Sequence, residues 1–267
     1  MQIKVATWNI NSVRLRVRQV ARFLRRWQPD VLCLQETKCP KAEFPSAAFA
    51  KLGYRHSACH GQPGYHGVAI LSRLPFGEAY SKQFCGKDDA RHLAVRLSGR
   101  QALWIHSLYV PAGGDDPNPE ANRKFAHKLA FLDELADWLP ETRKRSVPVV
   151  LTGDLNVAPL ENDVWSHRQL LNVVSHTPVE TSRLNALRAA GCWIDVVREH
   201  VPPERKLYTW WSYRARDWTL SDRGRRLDHI WVDPLLAGSC EAVDVVRVAR
   251  GWARPSDHVP VIATLCL

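Results

Sequence analysis

Six short segments at the edges of apolar runs carry the side chains able to do chemistry. They are Trp8-Asn9-Ile10-Asn11, Leu34-Gln35-Glu36-Thr37, Ser107-Leu108-Tyr109-Val110-Pro111, Leu151-Thr152-Gly153-Asp154-Leu155-Asn156, Arg226-Leu227-Asp228-His229 and Pro255-Ser256-Asp257-His258. Amide and carboxylate oxygens of this kind suit a hard divalent cation such as magnesium, which takes one or two carboxylates and keeps water elsewhere. No His/Cys set with zinc spacing competes with them. Carboxylates and a histidine can also hold and move protons near neutral pH. Taken singly each segment is ordinary. Asx residues after a strand are turn formers, a lone Glu36 is a solvated strand end, a lone His258 belongs to surface or core, and Tyr109 before a proline caps a core. Taken together and in this order, they would face one cleft, because rigid sheets project strand-end side chains into shared space.

The elements that must position them are short apolar runs rich in β-branched residues. Strand-length runs occur at Ile3–Trp8, Val31–Leu34, Val68–Leu71, Leu103–Val110, Val147–Leu151, Ile230–Val232 and Val259–Leu265, most of them bounded by Gly, Pro, Asn or Asp. Amphipathic stretches lie between them. Val17, Val20, Leu24 and Trp27 follow helical spacing in Arg14–Trp27, closed by Pro29. Phe125, Leu129, Leu132, Ala136 and Leu139 do so in Glu120–Leu139, which Pro140 is expected to end. Thr181–Ala190 is a third helix, with Gly191 as its stop. Many strands, few helices and long polar loops predict an α/β (α+β) layered sandwich rather than strict βαβ alternation. With no linker and no repeat, residues 1–267 are expected to form one domain.

Of 267 residues, 45% are hydrophobic and 24% charged, a globular mix that excludes disorder. The net charge of +10 favours a polyanionic partner, nucleic acid ahead of an anionic membrane because no run is long and apolar enough to span a bilayer. Seven cysteines, an odd number without a CxxC pair, fit a reducing cytoplasm, and Cys33 within an apolar run is expected as a buried thiol.

The segments Trp8–Arg14 (WNINSVR), Leu34–Lys38 (LQETK), Gly67–Leu71 (GVAIL), Tyr109–Pro111 (YVP), Gly153–Pro159 (GDLNVAP), Arg226–Ile230 (RLDHI) and Ser256–His258 (SDH) resemble, as a set, the exonuclease III family of abasic-site endonucleases. That family lies within the endonuclease/exonuclease/phosphatase superfamily, and the resemblance runs over essentially the whole chain. It implies a four-layered sandwich, two mixed β-sheets packed face to face and flanked by helices, with the cleft at one end. It implies hydrolysis of DNA 5′ to abasic sites and at 3′ ends. The oxygen-rich donors point to magnesium, for which manganese can substitute, and a monomer is expected because a cleft enzyme gripping DNA needs no partner subunit.

Cleaving an unactivated phosphodiester needs an activated in-line water, neutralised phosphoryl oxygens and a stabilised leaving oxygen. The resemblance assigns Glu36 as the metal anchor, with Asn9 and Asp257 as direct or water-mediated ligands. Asp154 orients or deprotonates the water, and Asn156 holds it in register. His258 binds a non-bridging oxygen as imidazolium, supported by Asp228, and Tyr109 assists at the phosphate or the leaving oxygen. Arg14, Arg91 and Asn11 fall at positions near the DNA, and Trp210 at the position that packs on an extruded abasic sugar. Clusters at Arg22–Arg26, Arg214–Arg216 and Arg223–Arg226 add candidate phosphate contacts, the first of them more simply read as solvated helix surface.

The sequence departs from the family pattern at Ser12, at Ala112-Gly113-Gly114, and over residues 160–180 with Trp165, His167 and His176. Those departures leave open the balance of endonuclease, exonuclease and 3′-phosphatase activities. An inositol phosphate or sphingomyelin phosphoesterase shares the polar skeleton, but the basic surplus and the Trp-rich block disfavour it. A non-catalytic DNA-binding scaffold would be expected to have lost a ligand or the histidine.

Overall fold

The computed structural model describes residues 2–99, 102–142 and 147–267. One six-stranded sheet runs β13 (Cys240–Val245), β14 (Val261–Cys266), β1 (Gln2–Asn9), β2 (Val31–Gln35), β4 (Val68–Ser72), β3 (His56–His60). The other runs β5 (Phe76–Tyr80), β6 (His92–Leu97), β7 (Leu103–Tyr109), β8 (Val149–Asp154), β12 (Asp228–Val232), β9 (Ile194–Asp195). Both are mixed: β1 and β2 are parallel, as are β7 and β8, and their other neighbours are antiparallel. A small pair, β10 (Trp210–Trp211) with β11 (Gly224–Arg225), stands apart. The main helices are α1 (Val13–Trp27), α3 (Arg123–Thr142) and α5 (Pro178–Ala190), with short turns α2 (Ser46–Ala50), α4 (His167–Leu170), α6 (Val196–His200) and α7 (Trp218–Ser221).

Three apolar interfaces make the four layers. Between the sheets lie Ile3, Val5, Val31, Cys33, Ile105, Val150 and Ile230. Trp8, Val20, Phe23, Leu24 and Leu34 join α1 to the first sheet. Leu108, Phe131, Leu132, Leu151, Leu184 and Trp231 join α3 and α5 to the second. Alternate residues of one strand thus enter different interfaces, as a period of two requires. The expected four-layered α/β sandwich is the observed architecture. None of the described helices is long and apolar enough to cross a membrane.

Several boundaries differ from the sequence reading. Helix α3 starts at Arg123 and runs through Pro140 to Thr142. A proline in the last turn forfeits one backbone bond, and Thr142 Oγ1 donates to the Leu139 carbonyl at 2.7 Å to close the end. Helix α5 starts at Pro178 because Thr177 and Glu180 form a capping box. Gly191 is not left-handed, with φ −95°, and Cys192 takes the positive φ instead. Glycine is still needed at 191, where a Cβ would run into the Trp193 indole. The last strand begins at Val261 rather than Val259 because Pro260 has no N–H to give the ladder.

Candidate active site

The inner face of each central strand turns polar toward one end. Along β1 the inward series is Ile3, Val5, Thr7, Asn9. Along β2 it is Val31, Cys33, Gln35, along β7 Ile105, Ser107, Tyr109, and along β8 Val150, Thr152, Asp154. Beneath the cleft, Gln35 Nε2 donates to Thr7 Oγ1 and Ser107 Oγ, both at 3.0 Å, so the buried polar layer is paired. Because β12 is antiparallel to β8, its first residue, Asp228, sits opposite Asp154. Glu36 follows β2 with φ 50°. Strict alternation would send it toward the helices, and the left-handed turn re-aims it at Asn9 and Tyr109. Gly153 is required next to Asp154, since a Cβ there would strike the Leu108 carbonyl across the parallel β7–β8 pair.

These side chains form one hydrogen-bonded array. Asn9 Nδ2 donates to Glu36 Oε1 at 2.9 Å and to Asp154 Oδ2 at 2.8 Å. The Tyr109 hydroxyl donates to Glu36 Oε1 at 2.9 Å. Asn156 gives its backbone N–H to Asp154 Oδ1 at 2.9 Å and its Nδ2 to Oδ2 at 3.2 Å. His258 Nδ1 meets Asp228 Oδ2 at 2.8 Å, and its Nε2 lies 3.7 Å from Asp154 Oδ2. Asp257 accepts from Asn11 Nδ2 at 3.1 Å and from Trp210 Nε1 at 3.0 Å. All the residues that the sequence assigns to catalysis or metal therefore lie in one connected site.

Electrostatics sort their roles. Burial would push the His258 imidazole down, but Asp228, Asp154 and Asp257 reverse this and carry it up to about 10, so it is a cation at neutral pH. Burial raises the Asp154 carboxyl to about 7, with Asp228 and Glu36 adding to the rise and His258 and Asn9 opposing it. Burial also raises the Tyr109 phenol well above its usual range, reinforced by Glu36 and Asp154, so it stays a neutral donor. Glu36 is ionised: burial opposes the charge, but Lys38 and Asn9 outweigh it.

A neutral phenol, an imidazolium and a carboxyl poised near neutrality around a cation-favouring glutamate form a phosphoester site. The comparisons agree with it. The model of the Endonuclease/Exonuclease/phosphatase family matches residues 6–258. The chain belongs to that family. It is 28% identical to exodeoxyribonuclease III of Haemophilus influenzae, over 98% of this chain and 99% of that protein. An AP endonuclease from Archaeoglobus fulgidus superposes with a TM-score of 0.90 at 31% identity, covering 99% of this chain and 100% of the other. The 3′ phosphatase NExo from Neisseria, bound to a product DNA hairpin, also gives 0.90 and 31%, with the same coverage.

Two sets of side chains could hold a divalent ion. Asp154, Asp228 and His258 offer atoms within 4.8 Å of one another. Here His258 commits Nδ1 to Asp228 Oδ2 and Asp154 accepts from Asn9 and Asn156, while Asp228 Oδ1 is buried without a partner. Glu36 is the second candidate anchor. Its Oε2 holds the Lys38 ammonium at 2.8 Å, so a cation is already favoured at this oxygen. Asn9 meets this carboxylate through its Nδ2, and Asp257 lines the same cleft as Glu36.

The residues assigned to DNA are more dispersed. Asn11 borders the metal side, accepting from Lys38 Nζ at 2.7 Å. Arg14 is exposed on α1 and paired with Glu43. Arg91 is buried, with Nε on Asp89 at 3.1 Å and its guanidinium 4.9 Å from the Tyr109 ring centroid, so it builds the wall behind Tyr109. Trp210 is half-buried in a cleft shared with Trp165, Val174 and Leu227, and thus residues 160–180 do border the catalytic centre. Trp211 is core. Guanidinium groups lie over both aromatic walls of this cleft: Arg223 over Trp165 at 4.6 Å and Arg225 over Trp210 at 5.3 Å.

Sequence reasoning missed the supports beneath the site. Thr209 Oγ1 accepts the Leu227 and Asp228 N–H groups at 3.0 and 3.1 Å. Ser256 Oγ donates to the Asn9 carbonyl at 2.7 Å. Lys128, fully buried, pairs with Glu180 and donates to the Asn156 carbonyl at 2.8 Å, which pins the Asp154–Asn156 turn to α3 and α5. Lys128→Met leaves the Glu180 charge buried, and the expected loss is about 3–5 kcal/mol. Urea unfolding reads it, and Lys128→Met/Glu180→Gln, which removes the charge but keeps an acceptor for the Ser175 and Thr177 N–H groups, should recover much of the deficit. A double variant no more stable than the single one would refute this account of the pair.

Proposed function

We propose that this chain hydrolyses duplex DNA on the 5′ side of abasic sites and removes nucleotides or blocking groups from 3′ ends, with magnesium as its working ion and manganese as a substitute. The observation that carries the reading is the convergence of the Asp154 carboxyl, the His258 imidazolium and the Tyr109 phenol around one side of Glu36. Glu36, with Asn9 and Asp257 nearby, would hold a divalent ion, which would neutralise charge on the phosphoryl and departing oxygens.

The chain's own groups do the rest. Asp154, with a carboxyl near 7, takes a proton from the attacking water. Asn156 and Asn9 lock that carboxyl in place through three hydrogen bonds to its Oδ atoms. His258 directs its Nε2–H toward a non-bridging oxygen, with Nδ1–H fixed by Asp228. Tyr109, a neutral donor, serves the phosphate or the oxygen that leaves. Nucleic acid as the partner agrees with the +10 charge. All seven cysteines are free thiols, the state that a reducing cytoplasm maintains, and the monomer carries a complete cleft.

The test is a duplex oligonucleotide with one abasic site, incubated with magnesium or with chelator. Strand scission 5′ to the lesion, present with the ion and abolished by the chelator, is the expected result. Binding without scission, or phosphate release from inositol phosphates with intact DNA, would overturn the proposal.

A further inference from the structure

Adjacent arginines of the Arg223–Arg226 cluster do different work. Arg226 is fully buried, with Nη2 at 2.6 and 2.7 Å from the two Asp195 oxygens, and is structural. Arg225 faces the other way, as a strand period of two demands. It enters the wall of the substrate cleft opposite Trp210 in the β10–β11 register, its guanidinium stacked on that ring. Nη1 donates to the Val174 carbonyl and to Ser175 Oγ, each at 2.8 Å. Nε is buried without a partner. Among the described residues no carboxylate pairs with Arg225, and Glu180, the one whose field reaches it, is held by Lys128 and the Ser175 and Thr177 N–H groups.

The cleft encloses about 590 Å³, more than a bare deoxyribose fills, so wall chemistry rather than space decides what settles there. A stacked, half-buried guanidinium with no counter-ion is suited to a planar carboxylate. Glu36 and Asp257 on the catalytic floor would oppose a second anion, but Lys38 covers the first, and Trp210 Nε1 and Asn11 Nδ2 cover the second.

We propose that Arg225 is a specificity-determining residue that binds a carboxylate on the pocket side of the scissile phosphorus. It thereby favours 3′ ends blocked by a short carboxylate-bearing phosphodiester over lesions whose pocket-side group is a neutral sugar. The inference rests on the phosphodiesterase reading above and names the substrate that this cleft prefers. The reaction is the same hydrolysis: water adds to phosphorus, the bond to the DNA 3′ oxygen breaks, that oxygen takes a proton, and the carboxyalkyl phosphate departs.

Two duplexes test it, one ending in 3′-phosphoglycolate and one carrying a tetrahydrofuran abasic analogue, each with wild type, Arg225→Leu and Arg225→Lys. In Arg225→Leu the ratio of kcat/KM for the acidic over the neutral substrate should fall about tenfold or more, mainly through KM. Arg225→Lys should keep part of the ratio, because the charge stays. An unchanged ratio overturns the proposal, whether both rates hold or both fall together. Fluorescence anisotropy of the same DNAs in chelator reads the preference without turnover. If wild type cuts no DNA, the phosphodiesterase reading fails, while a glycolate preference lost in Arg225→Leu still upholds the assignment. Equal binding of the glycolate end by wild type and Arg225→Leu ends it.

Discussion

Asp154→Asn is expected to slow single-turnover cleavage about 10³-fold, the scale of a lost general base. The substitution is nearly isosteric but cannot take a proton. It also places an amide where the carboxylate now accepts from Asn9 Nδ2, Asn156 Nδ2 and the Asn156 backbone N–H. At least one donor must then face another donor, and the Asn156 turn loosens. DNA binding in chelator should survive, because Asp154 is buried below the cleft and makes no claim on the phosphate backbone. A cleavage rate close to wild type would remove Asp154 from proton transfer.

Glu36→Ala strikes the other half of the site, and a loss of about 10²–10³-fold in kcat is expected from the missing electrostatic anchor. Three donors lose an acceptor together: the Tyr109 hydroxyl, Asn9 Nδ2 and Lys38 Nζ, the last two keeping Asp154 and Asn11. The diagnostic readout is a magnesium titration. If Glu36 holds the ion, the midpoint moves to higher concentration as well as the plateau falling, and Glu36→Asp recovers part of the shift. A lowered plateau with an unmoved midpoint would make Glu36 a scaffold for Tyr109 and place the ion elsewhere.

Much of this site was legible in the chain because β-strands repeat every two residues. Series such as Ile3, Val5, Thr7, Asn9 grade from apolar to polar, and that gradient marks which end of a buried face opens to a cleft. What escaped has no spacing to read. Lys128 and Glu180 lie 52 residues apart and meet only through the packing of α3 on α5, while Arg226 and Asp195 lie 31 apart. Arg225 and Arg226 are neighbours in the chain, and only the register of β11 shows that one is core and the other cleft wall. Glu36 was found by its motif, although its approach to Asn9 depends on a left-handed turn that alternation would not predict. Pro140 reads as a helix stop, yet α3 continues through it to Thr142, whose Oγ1 donates to the Leu139 carbonyl.

The bridge that ties Trp210 to His258, with Trp211 N–H on the Asp257 carbonyl at 2.9 Å and Val259 N–H on the Thr209 carbonyl at 2.8 Å, laces the indole wall of the cleft to the imidazole on its floor by main chain alone. That main-chain tie sets the span between the two. Under the function proposed above, a duplex presenting both a backbone phosphate and an extruded residue across that span would do the bending itself, so the work of deformation would fall on the nucleic acid. Sites where stacking is already interrupted would yield to such a gauge most easily.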